Sequence, residues 1–544
     1  MSSFIFKYIS FLFLLSCQGG QSVKNTASSD NKNINNRVWQ WSVTLDGFIS
    51  PETNEPPEAF LYIPQGCEKV KGVVLAQNNM IEEGVLEHPD FRNKMRELDF
   101  AEIWVTPIFS QKFDFHSQDP DLFKKLMRKL ARKSGYTELE SVPVIPLGHS
   151  ALATFPWNFA VAFPERTLTI ISIHGDAPQT TLTGYGGENV DWENKNIDGI
   201  PGLFIMGEFE WWEDRIKPGF RFQQENPGSV ITWFADAGHG HFDYSDMLVN
   251  YVADYIEKAS EYRLGNEELK SINPEDGWLM DRWRKDSLPI AKSATYAQFK
   301  GNKATASWAF DKEMANETEK YYNKARGKKK QFLGIKYNGE IIKPKESHAN
   351  YQLEFIPMED GISFGINAFF SDSTRTSEVF NHASTKIKID KITGPVKKIN
   401  DSIFQIHFDK LGFSNKKRSN DIWLLANNEG DSIYKSAVQQ IQVRFPLIND
   451  TGNSQKIEFT EIPDQLESVK SIALNAFASS GLPVQFYVKK GPAYVVDGKL
   501  IFTQLPPRTQ FPVEVEVIAW QYGVKGEWNS AKPVSRKFQL IKKI

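Results

Sequence analysis

Val142-Pro143-Val144-Ile145-Pro146-Leu147-Gly148-His149-Ser150-Ala151 is the stretch on which the reading of the fold turns. Its first half is a short, nearly continuous apolar run, the pattern of a strand covered on both faces. Its second half is a turn of small residues around a serine, followed by an apolar, helix-like stretch. A strand that enters a sharp turn and then a helix presents the serine hydroxyl at the strand's carboxyl end, with backbone N–H groups beside it.

Outward from that stretch the same alternation repeats. Val70 to Gln77, Ala101 to Pro107, Leu168 to His174, Gly202 to Gly207 and Val230 to Ala235 are further buried-strand candidates. Between them Leu122, Phe123, Leu126, Met127, Leu130 and Ala131 recur at helical spacing, and Met247, Leu248, Tyr251, Val252, Tyr255, Ile256 and Ala259 do so after the last strand. Alternating strands and helices predict an α/β domain over residues 37–265, built on a doubly wound, mostly parallel sheet. In such a sheet functional groups collect at the carboxyl ends of the strands.

A lone Gly-x-Ser is most often an ordinary turn. Here Gly148-His149-Ser150-Ala151, placed after a strand, resembles the nucleophile elbow of the α/β-hydrolase superfamily, and the resemblance extends over roughly residues 55–262. It implies a catalytic serine, Ser150, with an acid after a later strand and a histidine after the last one. In Gly207-Glu208-Phe209-Glu210 the resemblance places the acid on Glu210, with Glu208 and Asp176 as alternatives. In Asp236-Ala237-Gly238-His239-Gly240-His241-Phe242 it places the histidine on His239, with His241 as the second choice. A serine hydroxyl is a weak nucleophile until a neighbouring base takes its proton, and the acid orients that base. The oxyanion hole falls on the N–H of Ala151 and on Asn78, in the loop Gln77-Asn78-Asn79-Met80. Two positions depart from the superfamily pattern. Leu152 stands where a glycine is preferred, and Pro156 falls in the helix that should follow the elbow, where an interior proline breaks a hydrogen bond.

The other polar residues of this region admit simpler readings. His149 is structural or pocket-lining, and His174 and Asp176 belong to the mouth of the cleft. His174, Asp176, His239, His241 and Asp243 are metal-ligand types, but none sits at a recognised zinc spacing, so neither a metal nor a cofactor is expected. Trp211 and Trp212 can stack a sugar ring or simply pack. The insertion from Pro178 to Asp198 is expected to shape the pocket from above the sheet.

Beyond residue 265 the pattern changes. Residues 266–290 read as a linker. Residues 291–450 read as a β-rich domain with one helix near Asp311 to Arg326, and residues 455–544 as a small immunoglobulin-like β-sandwich. In that last unit Ser479-Ser480-Gly481-Leu482-Pro483-Val484, with Gly491-Pro492-Ala493, resembles small β-sandwich modules of bacterial surface proteins, which implies a spacer or adhesive module.

The amino-terminal residues read as targeting rather than fold. Lys7 precedes the apolar run from Ile9 to Leu15, too short to span a bilayer. Leu14-Leu15-Ser16-Cys17 resembles the lipobox of bacterial lipoproteins, which implies a signal peptide over residues 1–17 and lipid on Cys17. Residues 18–36 are too polar to order themselves and read as a tether. If Cys17 carries lipid, the one other cysteine, Cys67, has no disulfide partner. As a nucleophile it lacks a supporting local pattern. The net charge of −3 provides no basic surface for nucleic acid. Together these features predict a serine ester hydrolase, anchored to the membrane by lipid at the bacterial cell envelope and acting on an ester-decorated carbohydrate. No propeller or other size filter is evident, which sets peptidase activity behind ester hydrolysis. The competing reading is a non-catalytic, glycan-binding surface lipoprotein on a hydrolase scaffold.

Overall fold

A computed structural model describes residues 37–180, 188–210, 212–266, 268–345 and 350–543. The leader, Cys17 and the tether lie outside these residues. Eight strands form the first sheet: β1 (Trp41–Thr44), β2 (Glu58–Tyr62), β3 (Gly72–Gln77), β4 (Phe100–Thr106), β5 (Val144–His149), β6 (Ile170–Ile173), β7 (Pro201–Gly207) and β8 (Val230–Asp236). Their spatial order is β1-β2-β4-β3-β5-β6-β7-β8. The pairs β1–β2 and β2–β4 are antiparallel, and every pair from β3 to β8 is parallel. This is the expected doubly wound sheet, with the strand order of an α/β-hydrolase.

Every residue of β3 to β8 is buried. The runs look uniformly apolar in sequence because both faces are covered, yet the two-residue period still sorts the side chains. Val73 and Leu75 enter one core, and Val74 and Ala76 enter the other. The Val73 face packs on the helix Asp119–Ser134 and then on the C-terminal sandwich through Val513, Val515 and Leu540. That helix ends at Gly135, whose φ of +87° suits the left-handed helix stop. A Cβ there would also lie 2.7 Å from the Arg508 carbonyl, so glycine serves both the stop and the domain contact.

The Val74 face meets the helices Pro89–Glu97 and Asp246–Arg263 and then residues 272–325. Here the domain reading needs correction. The expected linker 266–290 carries the strand Trp278–Met280 and a buried Trp283, and it joins the core of the first domain. The same core takes in Trp308, Phe310, Met314 and Tyr322, from the start of the expected β-rich domain. The helix Lys312–Asn323, capped by Asp311 on the N–H of Met314, packs there as well. A charged, tryptophan-rich sequence without clear periodicity reads as a connector, but Trp283 is buried in the core that contains β8 and Trp278 packs half-buried against it.

The β-rich unit proper follows. A five-stranded and a four-stranded sheet enclose Leu333, Ile335, Phe364 and Phe404 against Ile422, Leu424, Ile441 and Val443. The strand Ala437–Arg444 alternates buried and half-buried residues, as a one-sided strand must. Residues from 457 onward form a second sandwich, of a four-stranded and a three-stranded sheet with one extra strand pair. Among the described residues no helix is long and apolar enough to cross a membrane.

Ion pairs clamp these units onto the first domain. Lys410, from the β-rich unit, donates to Glu83 at 2.5 Å and to Glu87 at 2.6 Å, all three groups being buried. Arg508, from the C-terminal sandwich, bonds Glu138 at 2.9 Å. Replacing Lys410 with methionine keeps the apolar stem and leaves two buried carboxylates without their cation, which is expected to cost about 3–5 kcal/mol. A urea midpoint equal to that of the native chain would mean that this clamp contributes nothing.

Candidate active site

At the end of β5 the chain turns within one residue. Ser150 has φ +54°, a left-handed conformation that a non-glycine residue holds only when its surroundings impose it. The surroundings are tight. A Cβ on Gly148 would lie 2.1 Å from the Leu152 carbonyl, and one on Gly175 would lie 1.9 Å from the Ala153 Cβ. Clearance at the turn comes from Gly148 and Gly175, so the position of Leu152 does not require a glycine. Pro156 falls in the first turn of the helix Phe155–Ala162, where a missing N–H breaks no helical bond. Neither departure disturbs the elbow.

The Ser150 hydroxyl is hydrogen-bonded to Nε2 of His241 at 2.6 Å. The Nδ1 of the same ring is hydrogen-bonded to a Glu210 carboxylate oxygen. Burial pushes the Glu210 carboxyl up, but the hydrogen bond and charge of His241, with the charges of His174 and Arg215, outweigh it and hold the group below the ordinary range. The histidine at the serine is therefore His241, and the expectation of His239 is corrected. His239 turns to Asp243, with Nδ1 and Oδ2 at 2.5 Å, while its carbonyl accepts from the Phe209 N–H. Both histidines follow β8, so position along the chain did not separate them. Asp243, four residues after His239, was the available clue.

The loop that carries His241 is held by its backbone. The His241 carbonyl accepts from Nε2 of His149 at 2.7 Å and from Nδ1 of His174 at 2.9 Å. Nε2 of His174 faces Asp236 at 3.6 Å, and Asp236 in turn accepts from the Tyr321 hydroxyl at 2.5 Å. Burial disfavours a charged His174, but the facing carboxylate of Asp236, with the charges of Glu210 and Asp243, raises its pKa to about 9. His239 is raised to about 9 as well, Asp236 and Asp243 outweighing its burial. Asp236, His239 and Asp243 bring ligand-type atoms within 4.8 Å of one another. In this structure they face each other as an ion-pair cluster.

The remaining expected residues sort as follows. Ala151 lines the cavity at Ser150. Asn78 does not serve an oxyanion hole, because its N–H bonds the Val105 carbonyl and its side-chain amide bonds the Thr106 hydroxyl. Its neighbours Asn79 and Met80 line the cavity instead. Their N–H groups and that of His149 all donate to the carboxylate of Glu82, which sequence reading missed. Burial raises Glu82 to about 7 against those three bonds. Glu208 is not the triad acid, since it accepts from the Gly238 N–H and pairs with the buried Lys435. Nor is Asp176, which is buried beneath the elbow with its carbonyl on the Trp157 indole. Cys67 is buried and its thiol is pushed up to about 12, which suits packing and not nucleophilic attack.

Ser150, Glu210 and His241 open into a cavity of about 910 Å³ whose opposite wall is the β-rich sandwich, through residues including Phe332, Trp423 and Gln440. Trp423 lies 5.5 Å from Phe242, centroid to centroid. Lys435 bonds both Glu208 and Asp286 at 2.6 Å, holding that wall in place. The sandwich thus forms one side of the cavity at the serine. The described residues of the insertion Pro178 to Asp198 do not line the cavity, and the buried Trp192 donates to Asn158. Residues 181–187, Trp211 and the side chain of Trp212 lie outside the described residues.

No protein-family model matches this sequence, and no curated protein matches it. Solved structures similar to part of the chain include a fluorophosphonate-binding serine hydrolase of Staphylococcus aureus, at 11% identity and a TM-score of 0.28 over 40% of this chain and 97% of that one. A phospholipase/carboxylesterase of Dyadobacter fermentans matches at 11% identity and a TM-score of 0.25, over 39% of this chain and 98% of that one. Est1E of Butyrivibrio proteoclasticus matches at 12% identity and a TM-score of 0.28, over 41% of this chain and 100% of that one.

The buried imidazoliums make a prediction about pH. A histidine at about 9 in the folded chain and at 6.5 when unfolded stabilises fully below pH 6.5, and this contribution fades as the pH rises through 9. The urea midpoint should therefore fall between pH 6.5 and pH 9, and fall less steeply in His174→Asn. Equal slopes in the two proteins would mean that His174 is buried neutral.

Proposed function

We propose that the chain is a serine ester hydrolase acting through an acyl-enzyme, with Ser150 as nucleophile, His241 as general base and acid, and Glu210 as its orienting carboxylate. The observation that carries this reading is the continuous contact from Glu210 through His241 to Ser150 on a strained strand-to-helix turn. Ser150 Oγ attacks the ester carbonyl carbon as its proton passes to Nε2 of His241. The charge that forms on the carbonyl oxygen is met by the Ala151 N–H. Nε2 then protonates the departing alcohol, and the carbonyl re-forms as an acyl-serine. A water molecule, deprotonated by His241, attacks in turn, and the acid leaves as Ser150 regains its proton. Glu210, held ionised, keeps the Nδ1 proton in place and favours the imidazolium of each step.

The substrate we propose is an ester-decorated polysaccharide at the bacterial cell envelope, where lipid on Cys17 would hold the chain. Support for the location comes from the lipobox-like Leu14-Leu15-Ser16-Cys17 and the polar tether that follows it. A cavity shared with a β-sandwich suits a substrate longer than its reacting ester. Release of acetate or ferulate from decorated glycans tests this part, and inactivity across such a panel would remove the polysaccharide.

The chemistry is tested by fluorophosphonate labelling of the full chain. Labelling should vanish in Ser150→Ala and slow roughly a thousandfold or more in His241→Ala. In His239→Gln it should stay within a few-fold of the native rate. Absence of labelling in the folded native chain would defeat the proposal, and loss in His239→Gln with retention in His241→Ala would reverse the assignment of the base.

A further inference from the structure

The cavity above Ser150 is unevenly charged. Its carboxylates are engaged: Glu210 with His241, Glu208 with Lys435, and Asp421 with Arg444. Arg418 and Lys417 pair with Glu52. Arg215 also lines the same space, buried, with its charge acting on Glu210, and the remaining cations of the lining are Lys285, Lys330 and Arg375. Among the described residues no carboxylate lies within ion-pair distance of these three.

Their arrangement matters more than their number. Lys285 belongs to the segment packed on the first domain, while Lys330 and Arg375 belong to the sandwich wall. Lys285 and Lys330 line the cavity together, and the neighbouring Lys285 ammonium, with some burial, holds Lys330 below the ordinary lysine range. Two like charges brought together at a domain junction repel, a cost that an anion placed between them removes. Aromatic rings flank the cations. Lys330 Nζ is 5.8 Å from the ring of Phe209, and the Arg375 guanidinium is 5.7 Å from the ring of Phe332. Phe209 is 41% exposed, and it adjoins the triad acid in the chain. The wall opposite the serine therefore offers positive charge backed by apolar rings.

We infer that the hydrolase takes an anionic ester, one whose acyl or alcohol part bears an oxyanion group such as a carboxylate, and that Lys285, Lys330 and Arg375 bind that group while Ser150 attacks the ester. This rests on the serine hydrolase reading and narrows its substrate to acidic compounds, including acidic glycans. It also gives the sandwich a role in specificity, since two of the three cations come from it.

The test compares two esters that differ by one carboxylate, p-nitrophenyl butyrate and mono-p-nitrophenyl glutarate, hydrolysed by the full chain at low salt. The ratio of kcat/KM should favour the glutarate ester by about tenfold, and added salt should shrink it. The double variant Lys285→Gln/Lys330→Gln should lose most of that preference, whereas Lys285→Arg/Lys330→Arg should retain it. No preference in the native chain, or a preference unchanged in the glutamine variant, overturns the inference. A separate readout is calorimetric binding of glutarate and of sulfate to Ser150→Ala. Binding of either ion that disappears with the two lysines supports an oxyanion site, and the tighter ion identifies its class. Inertness toward both esters with lysine-dependent binding intact would defeat the hydrolase reading and leave the anion site standing. Hydrolysis of both esters alike without such binding would do the reverse.

Discussion

A parallel sheet has to be covered on both faces, and that constraint organises this protein. From β3 to β8 no residue reaches solvent. Helices cover part of each face, and appended chain covers much of the rest: residues 272–325 on one side and the C-terminal sandwich on the other. The downstream units are thus built into the cores that keep the strands dry. At about 25 cal/mol per Å² of apolar area removed from water, such contacts dominate the cohesion of the assembly.

Charge then decides where those units sit. Apolar contact is non-directional, whereas a buried cation must meet its carboxylates or incur a large desolvation penalty. Lys410 on Glu83 and Glu87, and Lys435 on Glu208 and Asp286, are pairs of this kind. The second places the sandwich wall opposite Ser150, so the cavity is a product of domain registration. The loop bearing His241 is registered by similar means, its carbonyl gripped by His149 and His174 and the latter backed by Asp236 and Tyr321. A helix from outside the expected catalytic domain thereby reaches the triad's supporting network.

Much of this was legible in residues 37–265. Strand positions, the elbow at Ser150 and the acid at Glu210 could be read because each is written in neighbouring residues. The histidine was not read correctly, because His239 and His241 share one loop and the local sign that separates them is Asp243, four residues after His239. Asn78 was misread for another reason: its donors are consumed by β4, a partner that spacing along the chain does not disclose. Glu82, which ties the loop after β3 to the elbow, follows no motif.

By itself, then, the sequence determined the doubly wound sheet, the turn that strains Ser150 and the short set of acids and histidines available to it. These depend on periodicity and steric demands acting over a few residues. Tertiary structure alone decided which histidine reaches the serine and that the β-rich sandwich forms the opposite wall of the cavity. Those outcomes depend on buried charges finding partners hundreds of residues away, as Lys435 finds Glu208. Such pairing is fixed by the free energy of the assembled cores, and no local pattern encodes it.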